Sequence, residues 1–164
     1  MPDEQYGSIA LSQRVIGNVK LPSGRLVVCD VLTDPDARPL SIGLPPGSYP
    51  VEVAIASLGD GDERIAAARI CLRSSDPTTW MFALRQGQDA ETVSEDDLLF
   101  GVDSGTAAFL SAEAAIEVSE LLDETFDDQV TEAMDAVYRP TRKWAEIPLS
   151  NGELNMLICS TGFG

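Results

Sequence analysis

The chain of 164 residues contains no histidine. That absence excludes Ser-His and Cys-His nucleophile pairs and histidine-ligated zinc, and it removes the commonest general base at neutral pH. Enzymes built on Asp, Glu, Lys, Tyr or Cys remain open, but the balance tips away from catalysis. Cysteine is scarce as well. Cys29, Cys71 and Cys159 are widely spaced and each sits in an apolar run. No C-x-x-C pair is present for zinc, and three cysteines are too few for a disulfide framework. Three reduced, buried thiols are expected, with no metal and no cofactor. No apolar run approaches the roughly 18 residues needed to span a bilayer. The N-terminus, Met1-Pro2-Asp3-Glu4, lacks the basic start and apolar stretch of a signal peptide. These readings point to a cytoplasmic protein without a membrane association.

The most informative absence is local. Between Gln86 and Tyr138 there is no lysine or arginine, yet this stretch holds fifteen carboxylates. The whole chain has 27 acidic and 11 basic residues, for a net charge of −16. Nearly all of that charge therefore lies in one block. A field of one sign repels nucleic acid and anionic membrane and attracts basic surfaces.

The apolar fraction of 44% is ordinary for a globular domain. A chain of this length buries roughly 70% of its unfolded surface, enough for a core. One domain spanning residues 1–164 is expected. The first two thirds read as β-structure. Arg14–Leu21 and Leu26–Leu32 flank Pro22-Ser23-Gly24-Arg25, which predicts a hairpin. Tyr49–Ser57 alternates Val51, Val53 and Ile55 with Glu52 and Ala54, the period of a half-buried strand. Arg64–Arg73 is apolar on both faces, which predicts an interior strand. Thr79–Leu84 is short, aromatic and β-prone. Gln86–Asp97 reads as an acidic loop, and Leu98–Leu110 as a strand broken at Gly105.

The period then changes to that of helices. Ser111 is a good N-cap, and a first helix is predicted over about 112–123 with Ala112, Ala115, Ile116, Leu121 and Leu122 inward. A second, capped by Asp127 or Asp128, is predicted over about 128–138. Val130, Ala133, Met134, Val137 and Tyr138 form its core stripe. Pro140 ends it. Trp144–Leu149 and Leu154–Ser160 around Asn151-Gly152 predict a C-terminal hairpin. The fold class is α+β: an antiparallel sheet or sandwich with two consecutive helices on one side.

The stretches LPSGRLVVCDVL (Leu21–Leu32), LPPGSYPVEVAI (Leu44–Ile55), FGVDSGTAAFLSAEAA (Phe100–Ala115) and NMLICSTGFG (Asn155–Gly164) run in that order along the chain. Together they resemble an uncharacterised bacterial family, domain of unknown function 4241. The resemblance implies a bacterial cytoplasmic protein and brings no activity and no site residues with it. In that family the segment matching Ser160-Thr161-Gly162-Phe163-Gly164 usually leads into a further Gly/Asp-rich turn and an aromatic strand. A chain that stops at Gly164 is therefore either short by nature or a piece truncated at its C-terminus.

Several groups of residues are candidates for function. Glu113, Glu117, Glu120 and Glu124 fall at i, i+4, i+7 and i+11, one stripe of the first helix. Asp128, Glu132 and Asp135 form a second stripe. Like charges at this spacing cost a few tenths of a kcal/mol each, roughly, where interleaved lysines would stabilise. Such stripes suit either a solubilising surface or a docking face for a basic protein partner. Gly101–Thr106 lacks the lysine of a phosphate-binding loop and reads as a turn with Asp103 as its internal acceptor. Asp60, Asp62 and Glu63 do not match a calcium loop, and a solvated turn is the better reading of Asp123, Glu124, Asp127 and Asp128. Arg139, Arg142 and Lys143 are expected to pair with Asp135 or the helix end.

The leading expectation is an acidic protein-binding domain, in its most concrete form an immunity or inhibitor protein that masks a basic partner. One alternative is a carboxylate- or metal-dependent hydrolase using Asp103. The other is an accessory domain whose acidity serves solubility.

Overall fold

A computed structural model describes residues 9–75, 78–94, 96–121, 124–136 and 142–161. Seven strands are assigned: β1 (Ala10–Leu21), β2 (Leu26–Cys29), β3 (Gly47–Gly59), β4 (Asp62–Ile70), β5 (Thr106–Ser111), β6 (Trp144–Leu149) and β7 (Leu154–Ser160). The helices are α1 (Ala112–Leu121) and α2 (Glu124–Ala136). The strands form two antiparallel sheets, one in the order β1-β3-β4 and one in the order β2-β5-β7-β6. The class is α+β, with a C-terminal β6–β7 hairpin.

Alternation along the strands of the four-stranded sheet sorts its side chains to two faces. Val27, Ala108, Leu110, Ile147, Met156 and Ile158 pack with Val118, Val130 and Met134 of the helices. Leu26, Phe109 and Leu157 point the other way, onto Val19, Leu21 and Val51 of the three-stranded sheet. The result is three layers: helices, four-stranded sheet, three-stranded sheet. Gly17 marks the close approach of the two sheets, since a Cβ there would lie 2.7 Å from Leu157 Cδ2.

Several local expectations fail for tertiary reasons. The predicted Arg14–Leu32 hairpin does not form, because β1 pairs with β3 and β2 with β5. The turn is real, with Gly24 N–H donating to Leu21 O at 3.1 Å, but it is a corner between sheets. Gly24 has φ +73°, and a Cβ there would fall 1.8 Å from the carbonyl oxygen of Leu44, so the corner demands glycine. Segment 40–44 closes over it, with Leu40 N–H on Leu26 O and Leu44 N–H on Gly24 O.

Residues 64–73, read as an interior strand, contribute to β4, which is an edge strand. Thr79–Leu84 forms no strand, and the strand predicted from Leu98 starts at Thr106. Ser111 caps α1 as expected, its Oγ accepting the Ala114 N–H at 3.1 Å. The core face of α1 is Ala112, Ala114, Ala115 and Val118. Ile116 and Leu121, expected inside, are 59% and 46% exposed. Helix α2 begins at Glu124, earlier than the predicted cap at Asp127 or Asp128, and buries Phe126 with Val130 and Met134. Leu122, Val137, Tyr138 and Arg139 lie outside the described residues.

Candidate functional site

The helices cover one face of the four-stranded sheet, so their polar side forms an outer surface of the molecule. Its seven candidate carboxylates do not play one role. Glu113 lies in the first turn of α1, where the helix dipole favours an anion. Burial raises its pKa, but hydrogen bonds from Ser23, its own backbone, Ser111 and Arg25 outweigh that and hold the carboxyl below its usual range. Arg25 Nη2 stands 3.5 Å from Glu113 Oε1.

Glu117 is also used internally. Its Oε1 accepts the backbone N–H of Ser150 at 2.8 Å, and its Oε2 accepts the Ser150 hydroxyl. Asp135, exposed on α2, pairs with Lys143 Nζ at 3.1 Å, the partner expected for the basic cluster. Glu124 is the first residue of α2, and residues 122–123, which separate it from α1, lie outside the described residues.

Glu120, Asp128 and Glu132 are exposed, and among the described residues no cation pairs with them. Asp127 joins them on the same helix as Asp128. Within α2, Asp128 and Glu132 are one turn apart, on the same side. The acidic surface is thus narrower than seven residues, and it centres on α2 and the C-terminal end of α1.

Sequence reasoning missed a polar node at one end of the four-stranded sheet. Asp30 follows β2 and is fully buried. Its Oδ2 accepts the Ser104 N–H at 2.7 Å, and its Oδ1 accepts the Ser104 hydroxyl at 2.6 Å and the Leu32 N–H at 3.3 Å. Ser104 Oγ lies 2.7 Å from Thr106 Oγ1. The Gly101–Gly105 turn is therefore held by Asp30 from a different strand, not by its own Asp103. The available signal was an aspartate closing an apolar run, LVVCD, where a buried carboxylate needs several donors. An exposed serine against a buried carboxylate is a structural tether here: both carboxylate oxygens of Asp30 already accept hydrogen bonds, from Ser104 and from Leu32.

At the same end of the molecule the Trp144 ring has two guanidiniums near it, Arg14 at 5.1 Å and Arg142 at 5.2 Å from its centre. Arg142 is largely buried and pairs with Glu63 at 3.0 Å. These cation–π contacts and this ion pair tie β1, β4 and β6 together.

The three cysteines are unpaired. Burial pushes the Cys29 thiol up to about 12, reinforced by Asp34 and Asp30 against the opposing Arg85. Burial alone pushes Cys159 up to about 11. Neither is a nucleophile at neutral pH. Among the described residues no group of three or more Cys, Asp or Glu side chains converges to hold a metal ion. No helix among them is long and apolar enough to cross a membrane. A cleft of about 250 Å³ lies between α1 and segment 35–39, with Ile116, Pro35, Pro39, Arg25, Asp36 and Arg38 in its wall.

The model of a family of proteins of unknown function, DUF4241, matches residues 19–164. The chain belongs to that family. The match covers both sheets and both helices, including the Asp30–Ser104 tether and the acidic helix surface, and omits most of β1. DUF4241 membership assigns no activity to either feature. No curated protein and no solved structure matches the chain.

Proposed function

We propose that this DUF4241 chain is a protein-binding domain that docks a basic partner on the outer surface of its helix layer. The observation that supports this reading is the set Glu120, Asp127, Asp128 and Glu132, which are exposed and have no described cation beside them. Acids used for structure elsewhere in the molecule have partners: Glu52 binds Arg69, Asp62 binds Arg64 and Glu63 binds Arg142. Repulsion between like charges one turn apart on a helix, as at Asp128 and Glu132 of α2, costs a few tenths of a kcal/mol per pair, roughly. A cationic partner relieves it on binding. The concrete form of the reading is an immunity or inhibitor protein in the cytoplasm that masks the basic surface of a toxin. Long-range attraction then speeds the encounter.

The test is capture of cationic proteins on immobilised chain at low salt, followed by association kinetics with the captured partner. Exposed charges are screened over about 8 Å at physiological ionic strength, so the on-rate falls steeply as salt rises. The triple variant Glu120→Gln, Asp128→Asn, Glu132→Gln slows association more than it speeds dissociation. An unchanged on-rate in that variant refutes the reading and leaves acidity as a solubility device.

A further inference from the structure

We infer that the cleft between α1 and segment 35–39 binds a free α-amino acid with an apolar side chain. The inference is independent of the acidic helix surface and starts from the sequence Asp34-Pro35-Asp36-Ala37-Arg38-Pro39. Two prolines bracket an acid and a base and restrict the backbone on either side of them. Ala37, between the two charges, is buried and pins the middle of the segment. Its N–H donates to Asp34 O at 3.3 Å, and Pro39 O accepts the Gln86 N–H at 2.8 Å, so both ends are held as well. This wall of the cleft is built before any ligand arrives, which lowers the ordering cost of binding.

The two charges on this wall are unused. Asp36 and Arg38 both line the cleft and are exposed. Among the described residues neither makes an ion pair, with the other or with any third group. For a base that is an exception in this chain, which has 27 acids for 11 bases. Arg25, Arg64, Arg69, Arg85, Arg142 and Lys143 each stand beside a carboxylate. The Arg38 guanidinium instead lies against Gly87, where a Cβ would come 3.0 Å from its Nη1. Arg25, held loosely by Glu113 at 3.5 Å, adds a second guanidinium to the lining. The opposite wall is mainly apolar. Ala112, Ala115, Ile116 and Ser119 fall at i, i+3, i+4 and i+7, one stripe of α1. Ile116 is exposed there, a large aliphatic side chain that the fold leaves open to the cleft.

Charge and size together select the occupant. A plain carboxylate meets repulsion from Asp36, and a plain amine meets repulsion from Arg38 and Arg25. A ligand that carries both charges on one small body satisfies both. The carboxylate of an amino acid accepts paired N–H bonds from the Arg38 guanidinium, whose planar fork matches it. The ammonium donates to Asp36. The side chain lies against Ala115 and Ile116, where removal from water favours an aliphatic group. The cleft volume of about 250 Å³ is below the roughly 300–1,000 Å³ of pockets that take drug-sized ligands, so one small metabolite fills it. Within a peptide the amino and carboxyl groups of a residue are neutral amides, so the pair of charges specifies the free amino acid.

The experiment is an NMR titration of the isotope-labelled full chain with leucine. The expected result is saturable shifts of the backbone amides of Ala37, Arg38, Ala115 and Ile116. N-acetyl-leucine lacks the ammonium, leucinamide lacks the carboxylate and glycine lacks the side chain. Each binds at least about tenfold more weakly than leucine, as loss of one matched group does. Arg38→Gln weakens leucine about tenfold and leaves the weak binding of leucinamide unchanged, while Asp36→Asn weakens leucine and leaves that of N-acetyl-leucine unchanged. Both side chains are exposed and unpaired, so the thermal melts of the two variants match the parent. Absence of saturable shifts at the cleft with leucine, isoleucine, methionine and phenylalanine overturns the inference. So does binding of N-acetyl-leucine, leucinamide or glycine as tight as that of leucine.

Discussion

Glu117 of α1 holds the N–H of Ser150 in the β6–β7 turn at 2.8 Å and accepts its hydroxyl as well. Ser150 and Asn151 have φ of +46° and +53°, a conformation disfavoured for residues with side chains. The glutamate pins a strained turn to the helix layer. A residue that reads as part of a charged docking stripe is thus a structural brace. Glu117→Gln is expected to cost about 1–2 kcal/mol, the range for a charge-assisted hydrogen bond exchanged for a weaker one. Glu120→Gln, exposed three residues on, is expected to stay within about 0.5 kcal/mol. Urea denaturation of the two single variants measures the difference, and equal midpoints would contradict the bracing role.

Asp30 is expected to matter far more than Asp103, although both are aspartates at the same turn. Asp30→Ala strands the Ser104 N–H and removes a fully buried carboxylate with three donors, at a cost of about 3 kcal/mol. Asp103→Ala removes an exposed side chain and should shift stability by no more than about 0.5 kcal/mol. Thermal melts of both variants test this, and a severe effect of Asp103→Ala would reopen its use as a site residue.

The two isoleucine-sized positions on the helices separate in the same way. Met134 is 2% exposed beneath α2, and an aspartate there would be a buried unpaired charge. Met134→Asp is expected to cost at least about 4 kcal/mol and to unfold much of the population at ambient temperature. Ile116→Asp, at 59% exposure, should leave the melt nearly unchanged.

The thiols make a pH prediction. Cys29 and Cys159 ionise at about 12 and about 11 in the folded state, against 9.0 when unfolded. Both states are protonated below pH 9, so the thiols are neutral to stability there. Above pH 9 the unfolded chain loses these protons and the folded chain keeps them. Stability therefore declines as pH rises from about 9 toward 12. Cys29→Ala, Cys159→Ala should flatten that decline relative to the parent, whatever its cavities cost at neutral pH. A thiol reagent at pH 8 should leave these two untouched in the native chain and find three free groups after denaturation.

Much of the fold was legible locally. The N-cap at Ser111, the Val130–Met134 stripe, the Asn151-Gly152 turn and the strand alternation of Val51, Val53 and Ile55 are short-range signals, set by backbone geometry and the period of apolar residues. They determined the elements and the α+β class, and the run without lysine or arginine determined where the charge lies. Partnership between elements had no such local signal. Gly24 reads as a hairpin residue, yet the carbonyl of Leu44 fills the space where its Cβ would be, and that contact turns the hairpin into a corner between sheets. Asp30 and Ser104 stand 74 residues apart, and their tether exists only once β2 and β5 pair. Glu113 and Glu117 read as free charges until Arg25 and Ser150 are brought against them. Composition and periodicity decide what many segments are, though not Thr79–Leu84, which reads as a strand and forms none. Which atoms meet across the chain decides whether a carboxylate is a brace or a free charge, and only the packed tertiary structure brings those atoms together.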